Sequence, residues 1–311
     1  MKKQLKEVSQ QVLVFNKVLI TGIDGFTGIH LERLLLEKGY DVFGTVIQNK
    51  NNKHHFVCDI RKQEEIINVI ESVKPDYIFH FAGISFVGEQ NRSVIYDVNV
   101  IGTENLLKAI IKCKLKPRKV IIPSSATVYG NQNNSILDET MCPKPTNHYG
   151  YSKLIMEQMC SSFFSNINIL ITRPFNYTGP YQAENFLIPK IISHYKKKEN
   201  TIELGNVNIA REFNHVSDIA NIYLLLMLSK TNSIVVNICS GNAIYLLDII
   251  DILNRFVGNK IEIVIKKELV RSNEINILKG STNRLKSLIN YNFEKNIENT
   301  LLEIFNHDFY N

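Results

Sequence analysis

The first part of the chain alternates short apolar segments with segments whose apolar residues recur at helical spacing. The apolar segments are Lys17–Thr21, Asp41–Ile47, Tyr77–Ala82 and Lys119–Ser125. Apolar strands that are separated by helices are typical of parallel strands covered on both faces. Because such crossovers are almost always right-handed, the pattern predicts a doubly wound parallel sheet of the α/β class.

The alternation becomes irregular after Arg173, where helical and strand patterns mix without a clear order. A length of 311 residues suits one large lobe and one smaller lobe. We therefore expect an N-terminal extension over 1–16 and a sheet domain over 17–175. The remainder, 176–311, is expected to form mainly a smaller mixed α/β lobe, from which a segment at about 214–240 returns to the sheet domain.

Composition and charge narrow the class of partner. The net charge of +6 suits an anionic small molecule, and the basic residues are scattered without a nucleic-acid-binding signature. The five cysteines form no pair with metal or redox spacing, which favours a reducing compartment and predicts no metal site. Residues 1–16 are polar, and no apolar run approaches the ~20 residues of a membrane span. We expect a cytoplasmic protein that binds neither membranes nor nucleic acid.

A glycine-rich turn joins the first predicted strand to the first predicted helix. Gly22, Gly25 and Gly28 follow the strand at intervals of three residues. Such glycines allow a tight turn, a close approach of pyrophosphate, and close packing of the helix on the strand, while the helix N-terminus attracts the phosphates. The turn predicts a Rossmann-type fold that binds a dinucleotide.

The end of the second predicted strand bears on the choice of coenzyme. An acidic residue there would bind the adenosine ribose and favour NAD, but this strand ends at Gln48, and Lys50 and Lys53 follow. The missing carboxylate and the two lysines favour NADPH, and NADH remains possible. Asp59, after the third apolar stretch, is expected to bind the adenine amine.

Tyr149 and Lys153 lie four residues apart at the start of a predicted helix and therefore share one helical face. A nearby ammonium favours the phenolate and is expected to lower the pKa of the tyrosine towards neutrality. Upstream, Ser124 and Ser125 place hydroxyl groups at the end of the fourth strand, on the sheet edge where such folds bind ligands.

Together these motifs resemble those of the extended short-chain dehydrogenases/reductases, in particular the nucleotide-sugar epimerase and dehydratase group. The resemblance implies a catalytic triad of Ser125, Tyr149 and Lys153, in which the serine holds the sugar oxygen, the tyrosine transfers the proton and the lysine holds the nicotinamide ribose. The matching segments are 21–28, 80–83, 99–103, 124–130, 149–153, 173–176 and 211–218. Besides Tyr149 and Lys153, the residues expected to bind the cofactor are Gly22, Gly25, Phe26, Gly28, Gln48, Asp59, Ile60 and Ala82.

Within this group, Arg173–Gln182 closely resembles the corresponding segment of GDP-4-keto-6-deoxymannose reductases and related dehydratases. That resemblance implies that Asn176 contacts the substrate diphosphate and that Arg211 binds phosphate. Arg271 and Glu274 resemble a later element that holds phosphate and ribose, although Ser272 and Glu274 depart from its pattern. Ser85 and Thr127 complete the expected substrate-binding residues.

Three reactions share this triad: 4-epimerisation, 4,6-dehydration and reduction of a 4-keto sugar. The dehydratases also need a carboxylate two residues after the triad serine, and here that position is Thr127, a hydroxyl too weak to serve as the base. We therefore expect a reductase that acts on the C4 ketone of a GDP-linked 6-deoxy hexose or heptose, in the synthesis of bacterial surface-polysaccharide sugars. The alternatives are a 4-epimerase with tightly bound NAD and a non-catalytic dinucleotide-binding protein. The resemblance further implies a homodimer that forms through the helix bearing Tyr149.

Overall fold

The computed structural model describes residues 16–48, 51–132, 136–270 and 276–307. Its centre is a seven-stranded sheet in the order β11-β6-β5-β4-β1-β2-β3, in which all neighbouring strands are parallel. The predicted Rossmann-type doubly wound fold is confirmed. The strands are β1 (Lys17–Thr21), β2 (Asp41–Val46), β3 (His55–Val57), β4 (Tyr77–His80), β5 (Lys119–Pro123), β6 (Ile169–Pro174), β7 (Tyr177–Thr178), β8 (Thr201–Leu204), β9 (Ala210–Arg211), β10 (Asn214–His215), β11 (Ile234–Ile238), β12 (Ile244–Tyr245), β13 (Glu262–Ile265) and β14 (Ile277–Leu278).

Helices cover both faces of this sheet, as the apolar strands require. The helices are α1 (Phe26–Glu37), α2 (Gln63–Val73), α3 (Arg92–Tyr96), α4 (Thr103–Lys112), α5 (His148–Ser161), α6 (Leu187–Lys196), α7 (Val216–Leu228), α8 (Leu246–Val257), α9 (Asn283–Leu288) and α10 (Ile297–Asn306). In β1, Val18 and Ile20 pack with α1 and α7, whereas Leu19 packs with α2 and α4 on the other face. This alternation follows from the two-residue period of a strand.

The apolar spacing over Val94–Lys114 predicts one helix, but the structure divides this segment. A π-helical stretch, Asp97–Gly102, separates α3 from α4. Inside it, Asn99 turns its side chain away from the helix and bonds to Ile84 and Ser152. The π-helical turn thus coincides with hydrogen bonds between segments distant in sequence, which apolar periodicity alone does not reveal.

A smaller lobe lies beside the carboxyl ends of the large sheet. Its core is formed by α6, α8, α10 and β8, and its short strands form three small sheets with the pairings β10-β7, β12-β9-β14 and β13-β8. Between these elements the chain returns to the large sheet, because α7 packs on α1 and β11 pairs with β6. Residues from both parts of the chain therefore meet at one edge of the sheet.

Within the described ranges, every helix is too short or too polar to cross a membrane.

Candidate active site

A cleft of about 700 Å³ opens where β1, β4 and β5 end, between the large sheet and the smaller lobe. The glycine-rich turn and the segments after β4 and β5 line the side of the cleft that belongs to the large sheet. The start of α6, the end of β8 and Arg211 on β9 line the opposite side. The cleft lies at the carboxyl ends of parallel strands, the position at which open α/β sheets bind their ligands.

The glycines of the turn are required by its backbone. Gly22 has φ +67°, and a Cβ there would lie 2.8 Å from the Ala82 backbone. A Cβ at Gly28 would lie 2.4 Å from the Ile23 carbonyl oxygen. Gly25 is the N-cap of α1 and has no side chain with which to cap the first helical turn, so the N–H groups of that turn lie at the cleft without a capping side chain. This is a cradle into which a pyrophosphate fits.

The residues expected at the adenosine end lie apart from the main cleft lining, near the ends of β2 and β3. Gln48 is exposed just beyond β2. The Asp59 carboxylate forms a bidentate ion pair with Arg61, at 2.6 Å for the shorter contact. Ile60 is buried, its side chain packs closely against Gly102, and its carbonyl oxygen accepts a hydrogen bond from Asn105 at 3.0 Å. Ala82 donates its N–H to the Thr21 hydroxyl at 3.1 Å.

The three residues of the predicted triad converge on the cleft. Tyr149 and Lys153 lie on α5, and Ser125 follows β5; each is at most 9% exposed. The Tyr149 side chain is hydrogen-bonded to Ser125. Lys153 Nζ donates to the Pro123 carbonyl oxygen at 2.8 Å. The N-cap Asn147 accepts a hydrogen bond from the Gly150 N–H at 2.8 Å and so fixes the helix start that carries the tyrosine.

Burial determines the protonation of this pair. It raises the pKa of Tyr149 to about 12, against the opposing effect of the Ser125 hydrogen bond, and lowers the pKa of Lys153 to about 8. The direction of the pKa shift of Tyr149 is opposite to that expected from the sequence, because loss of hydration dominates and the Lys153 ammonium donates to the Pro123 carbonyl oxygen. The phenol is therefore neutral near pH 7 and able to donate a proton.

Two supporting residues, His80 and Asn99, were not singled out as site residues by the sequence. His80 ends β4 and lies between Thr21, 2.8 Å from its Nδ1, and Thr103, 3.0 Å from its Nε2. Burial lowers its pKa to about 3, so the ring is neutral. Asn99 bonds to Ser152 on α5 at 3.1 Å and thereby ties the segment after β4 to the helix that carries Tyr149. Both residues lie in segments that resemble the family, 80–83 and 99–103, and this resemblance was the sequence signal that could have identified them.

The expected substrate residues that the structure describes all line the same cleft: Ser85, Thr127, Asn176 and Arg211. Thr127 donates from its Oγ1 to the Ser125 Oγ at 3.0 Å. Arg211 Nη1 donates to the Ala210 carbonyl oxygen at 2.8 Å, which fixes the guanidinium at the cleft wall. Arg271 and Glu274 lie outside the described residues.

A buried ion pair links α5 to β6. Arg173 forms two hydrogen bonds to the Glu157 carboxylate, at 2.9 and 2.7 Å, and both side chains are 6% exposed. The guanidinium also lies over the Tyr129 ring, 4.8 Å from its centre. This arrangement fixes α5, which carries Tyr149 and Lys153, relative to β6.

The residues present fit a nicotinamide dinucleotide. Besides the glycine cradle, the Ser124 Oγ is buried at the cleft and has no hydrogen-bond partner among the residues that the structure describes. A polar group bound there would satisfy it. Over the same ranges, no group of three or more His, Cys, Asp or Glu side chains is placed to hold a metal ion.

Comparison with known proteins assigns the family. The family model for GDP-mannose 4,6 dehydratase matches residues 19–304. The chain therefore belongs to this family of short-chain dehydrogenase/reductase fold, which confirms the resemblance inferred from the motifs.

Individual relatives cover nearly the whole chain. It is 35% identical to a GDP-6-deoxy-D-talose 4-dehydrogenase of Aggregatibacter actinomycetemcomitans, over 93% of this chain and 99% of the relative. It is 28% identical to a UDP-glucose 4-epimerase of Mycoplasma genitalium, over 95% of this chain and 97% of the relative. The structure of RMD from Pseudomonas aeruginosa complexed with NADPH superimposes with a TM-score of 0.81 at 26% identity, over 94% of this chain and 96% of that one. The chain is an NAD(P)-dependent oxidoreductase.

Proposed function

We propose that the protein reduces the C4 keto group of a GDP-linked 4-keto-6-deoxy sugar, with NADPH as the preferred reductant. The observation that carries this proposal is the composition of the cleft around Tyr149. Among the described lining residues Asp24, in the glycine-rich turn, is the one carboxylate, and Thr127 occupies the position where a dehydratase needs an acid. The cleft is thus equipped for proton donation to a C4 oxygen and lacks a base for removing a carbon-bound proton.

The residues of the triad have separate roles in this reaction. When bound, a reduced nicotinamide supplies hydride to the carbonyl carbon. Ser125 donates a hydrogen bond to the carbonyl oxygen, and Tyr149 transfers its phenolic proton to the alkoxide that develops there. Because burial keeps the phenol protonated, it is in the form that a reduction requires. Lys153 holds the ribose of the coenzyme and offers a positive charge to the phenolate left behind.

The other end of the cleft suits a diphosphate. Asn176 is exposed to the cleft just after β6, and Arg211 faces it from β9. A guanidinium and an amide donate hydrogen bonds to phosphate oxygens, and the charged donor gives the stronger bond. The sugar then lies between these residues and Tyr149. The guanine identity of the base is inferred from the name of the relative that is a GDP-6-deoxy-D-talose 4-dehydrogenase.

The preference for NADPH follows from the end of β2. No carboxylate stands among the described residues directly after β2, where Gln48 is exposed. Lys53 precedes β3, which pairs with β2 from Gly44 onward, so this lysine lies beside the amino half of β2 and not at its carboxyl end. A 2′-phosphate at the carboxyl end of β2 would meet no repulsion from a carboxylate. Comparison of kcat/KM for NADPH and NADH, in the wild type and in Gln48→Glu, measures this preference; the variant is expected to lower the ratio.

The decisive assay uses purified protein, NADPH and GDP-4-keto-6-deoxy-D-mannose. We expect a loss of NADPH absorbance with formation of a GDP-6-deoxy sugar. Tyr149→Phe should lower kcat at least ~100-fold, because it removes the proton donor. Tyr245→Phe, at a side chain that is 49% exposed and outside the cleft lining, is the matched control and should retain activity. Full activity of Tyr149→Phe would contradict the proton path, and absence of NADPH consumption by the wild type would contradict the reduction itself.

A second candidate function is 4-epimerisation with tightly bound NAD, because epimerases occur among the relatives. An epimerase interconverts the two C4 epimers of a nucleotide sugar without added reductant. Incubation of each epimer with the protein alone, followed by product separation, distinguishes this function from reduction. A non-catalytic dinucleotide-binding protein would give neither reaction.

We also propose a homodimer through the outer face of α4 and α5. Tyr151 and Ile155 on α5 are 45% and 43% exposed, and Ile111 on the neighbouring α4 is 45% exposed. Exposed apolar side chains grouped on adjacent helices favour a protein contact. Light scattering should give the mass of a dimer, and Ile155→Glu should shift it towards the monomer.

A further inference from the structure

Two phenylalanines contact each other across the cleft. Phe86 lies in the segment after β4, on the side of the large sheet, and Phe186 is the N-cap residue of α6 in the smaller lobe. Their ring centres are 5.9 Å apart with an interplanar angle of 77°, an edge-to-face contact. Both rings are half-buried and line the cleft. We refer to these two residues as the Phe86–Phe186 pair.

The position of Phe86 is fixed by the backbone on both sides of it. The Asn99 side chain accepts a hydrogen bond from the Ile84 N–H at 2.8 Å and donates one to the Ile84 carbonyl oxygen at 3.0 Å. Beyond Phe86, the Glu89 N–H donates to the Phe86 carbonyl oxygen at 3.2 Å. Gly88 allows this turn to lie against the ring, since a Cβ there would stand 2.6 Å from it. The ring is therefore held towards the cleft.

The cleft lining near Tyr149 has two adjoining walls of different polarity. The segment after β5 forms one wall and presents the hydroxyl groups of Ser125 and Thr127. The segment after β4 and the start of α6 form the other wall, and beyond Ser85 they present Val87 and the Phe86–Phe186 pair, which offer only carbon atoms to a ligand. A sugar held at C4 by Tyr149 and at C1 through its diphosphate can turn one edge of its ring to each wall.

A 6-deoxy sugar has the matching asymmetry. One edge carries the C2 and C3 hydroxyl groups, and the other carries C5–H and the C6 methyl group. Hydroxyl groups that face an apolar wall would lose hydrogen bonds to water without replacement, whereas a methyl group there is favoured. The hydroxyl edge therefore belongs at the Ser125–Thr127 wall and the methyl edge at the phenylalanines.

We propose that the Phe86–Phe186 pair is the binding surface for C6 of the sugar, an inference that rests on the proposed function. The pair selects sugars with a methyl group at C6 over sugars with a hydroxymethyl group there. An apolar surface discriminates against an added hydroxyl by at most about 100-fold. We expect a preference of roughly ten- to hundredfold in kcat/KM for the 6-deoxy sugar.

The test measures the oxidation of two sugars that differ by one oxygen atom. The first is the GDP-6-deoxy sugar that the wild type itself forms, and the second is its 6-hydroxy counterpart: GDP-D-mannose for GDP-6-deoxy-D-mannose, or GDP-D-talose for GDP-6-deoxy-D-talose. Each is assayed with NADP⁺ by the appearance of NADPH. Phe186 and Phe86 are each replaced by leucine and by asparagine, which are nearly equal in shape and differ in polarity. Phe256→Asn is the control, because Phe256 makes a similar edge-to-face contact with Phe305, at 5.8 Å, away from the cleft.

We expect the wild type, both leucine variants and Phe256→Asn to prefer the 6-deoxy sugar. At least one asparagine variant should lower that preference by roughly tenfold or more, since its amide can bond to the hydroxyl. Equal kcat/KM for the two sugars in the wild type, or an unchanged preference in both asparagine variants, would overturn the role of the pair while the proposed reaction stands. Failure of the wild type to form or oxidise any GDP-6-deoxy sugar would overturn the proposed function, and this inference with it.

Discussion

Acidification should destabilise the protein through one buried histidine, His80. Its Nε2–H donates to the Thr103 oxygen, because the Thr103 hydroxyl proton goes to the Asn99 carbonyl oxygen at 2.7 Å. In a neutral ring Nδ1 is then unprotonated and accepts the hydroxyl proton of Thr21, whose oxygen also accepts the Ala82 N–H. The ring is therefore held as one neutral tautomer, and burial together with the nearby Lys153 charge lowers its pKa to about 3.

The sign and size of the effect follow from proton linkage. The unfolded chain binds a proton at the ordinary histidine pKa of about 6.5, whereas the folded chain does not until the pH falls towards 3. Between these pH values the unfolded state carries more protons than the folded state. The contribution of neutral His80 to the free energy of unfolding is therefore fully present above about pH 6.5 and is lost as the pH falls. From pH 7.5 to 5.0 the loss attributable to His80 is about 2 kcal/mol.

Urea unfolding at these two pH values measures the effect. His80→Asn replaces the ring with an amide that can accept and donate on its two sides and does not titrate. The free energy of unfolding should fall by about 2 kcal/mol more for the wild type than for His80→Asn on acidification. His54→Gln is the control, since that side chain is 42% exposed, and it should follow the wild type. An equal loss in the wild type and in His80→Asn would refute the assignment of a neutral buried ring.

Three further substitutions test the structure by urea unfolding at neutral pH. Glu157→Ala leaves the Arg173 guanidinium buried without its partner and should cost about 3–5 kcal/mol; a cost below 1 kcal/mol would contradict a buried pair. Lys119→Met removes the hydrogen bonds of Nζ to the Leu226 and Ser229 carbonyl oxygens at the end of α7 and should cost about 2–3 kcal/mol; an unchanged midpoint would show that this lysine does not cap the helix. Gly130→Ala places a Cβ 1.8 Å from the Lys144 carbonyl oxygen and should cost more than about 3 kcal/mol. Its control, Gly39→Ala, has φ +80° but open space around it and should cost only about 1 kcal/mol; equal costs at the two glycines would contradict the steric reasoning.

Sequence reasoning could predict those parts of the fold that depend on local pattern. The strands β1, β4 and β5 were predictable because buried parallel strands are apolar throughout. The glycine-rich turn was predictable because Gly22 and Gly28 occupy positions that tolerate no side chain. The local pattern placed Ser125 at the carboxyl edge of such a sheet and Tyr149 and Lys153 on one helical face, and the resemblance to the short-chain dehydrogenases/reductases implied that the three converge.

The remaining features depend on contacts between distant segments. The π-helical stretch accompanies the bonds of Asn99 to Ile84 and Ser152, which no periodicity encodes. The two-residue strands, such as β7 and β9, are strands only because they find partners far along the chain. The pKa of Tyr149 was expected to fall and rises instead, because the degree of burial is a property of the assembled cleft. The Phe86–Phe186 contact joins residues one hundred positions apart, and neither stood in a recognisable motif.

The path of the chain between β6 and β11 has a consequence for biosynthesis. These strands are neighbours in the sheet, yet α6, β8 and most of the substrate side of the cleft are synthesised between them. During synthesis the large sheet therefore lacks its strand β11 until residues up to Ile238 have left the ribosome. Until α7 has been synthesised, the surface of α1 on which it packs also stays uncovered. Domains generally fold as units during synthesis, but here neither lobe is a contiguous unit. A nascent chain or a truncated fragment ending near residue 200 should consequently expose apolar surface and depend on protection from aggregation.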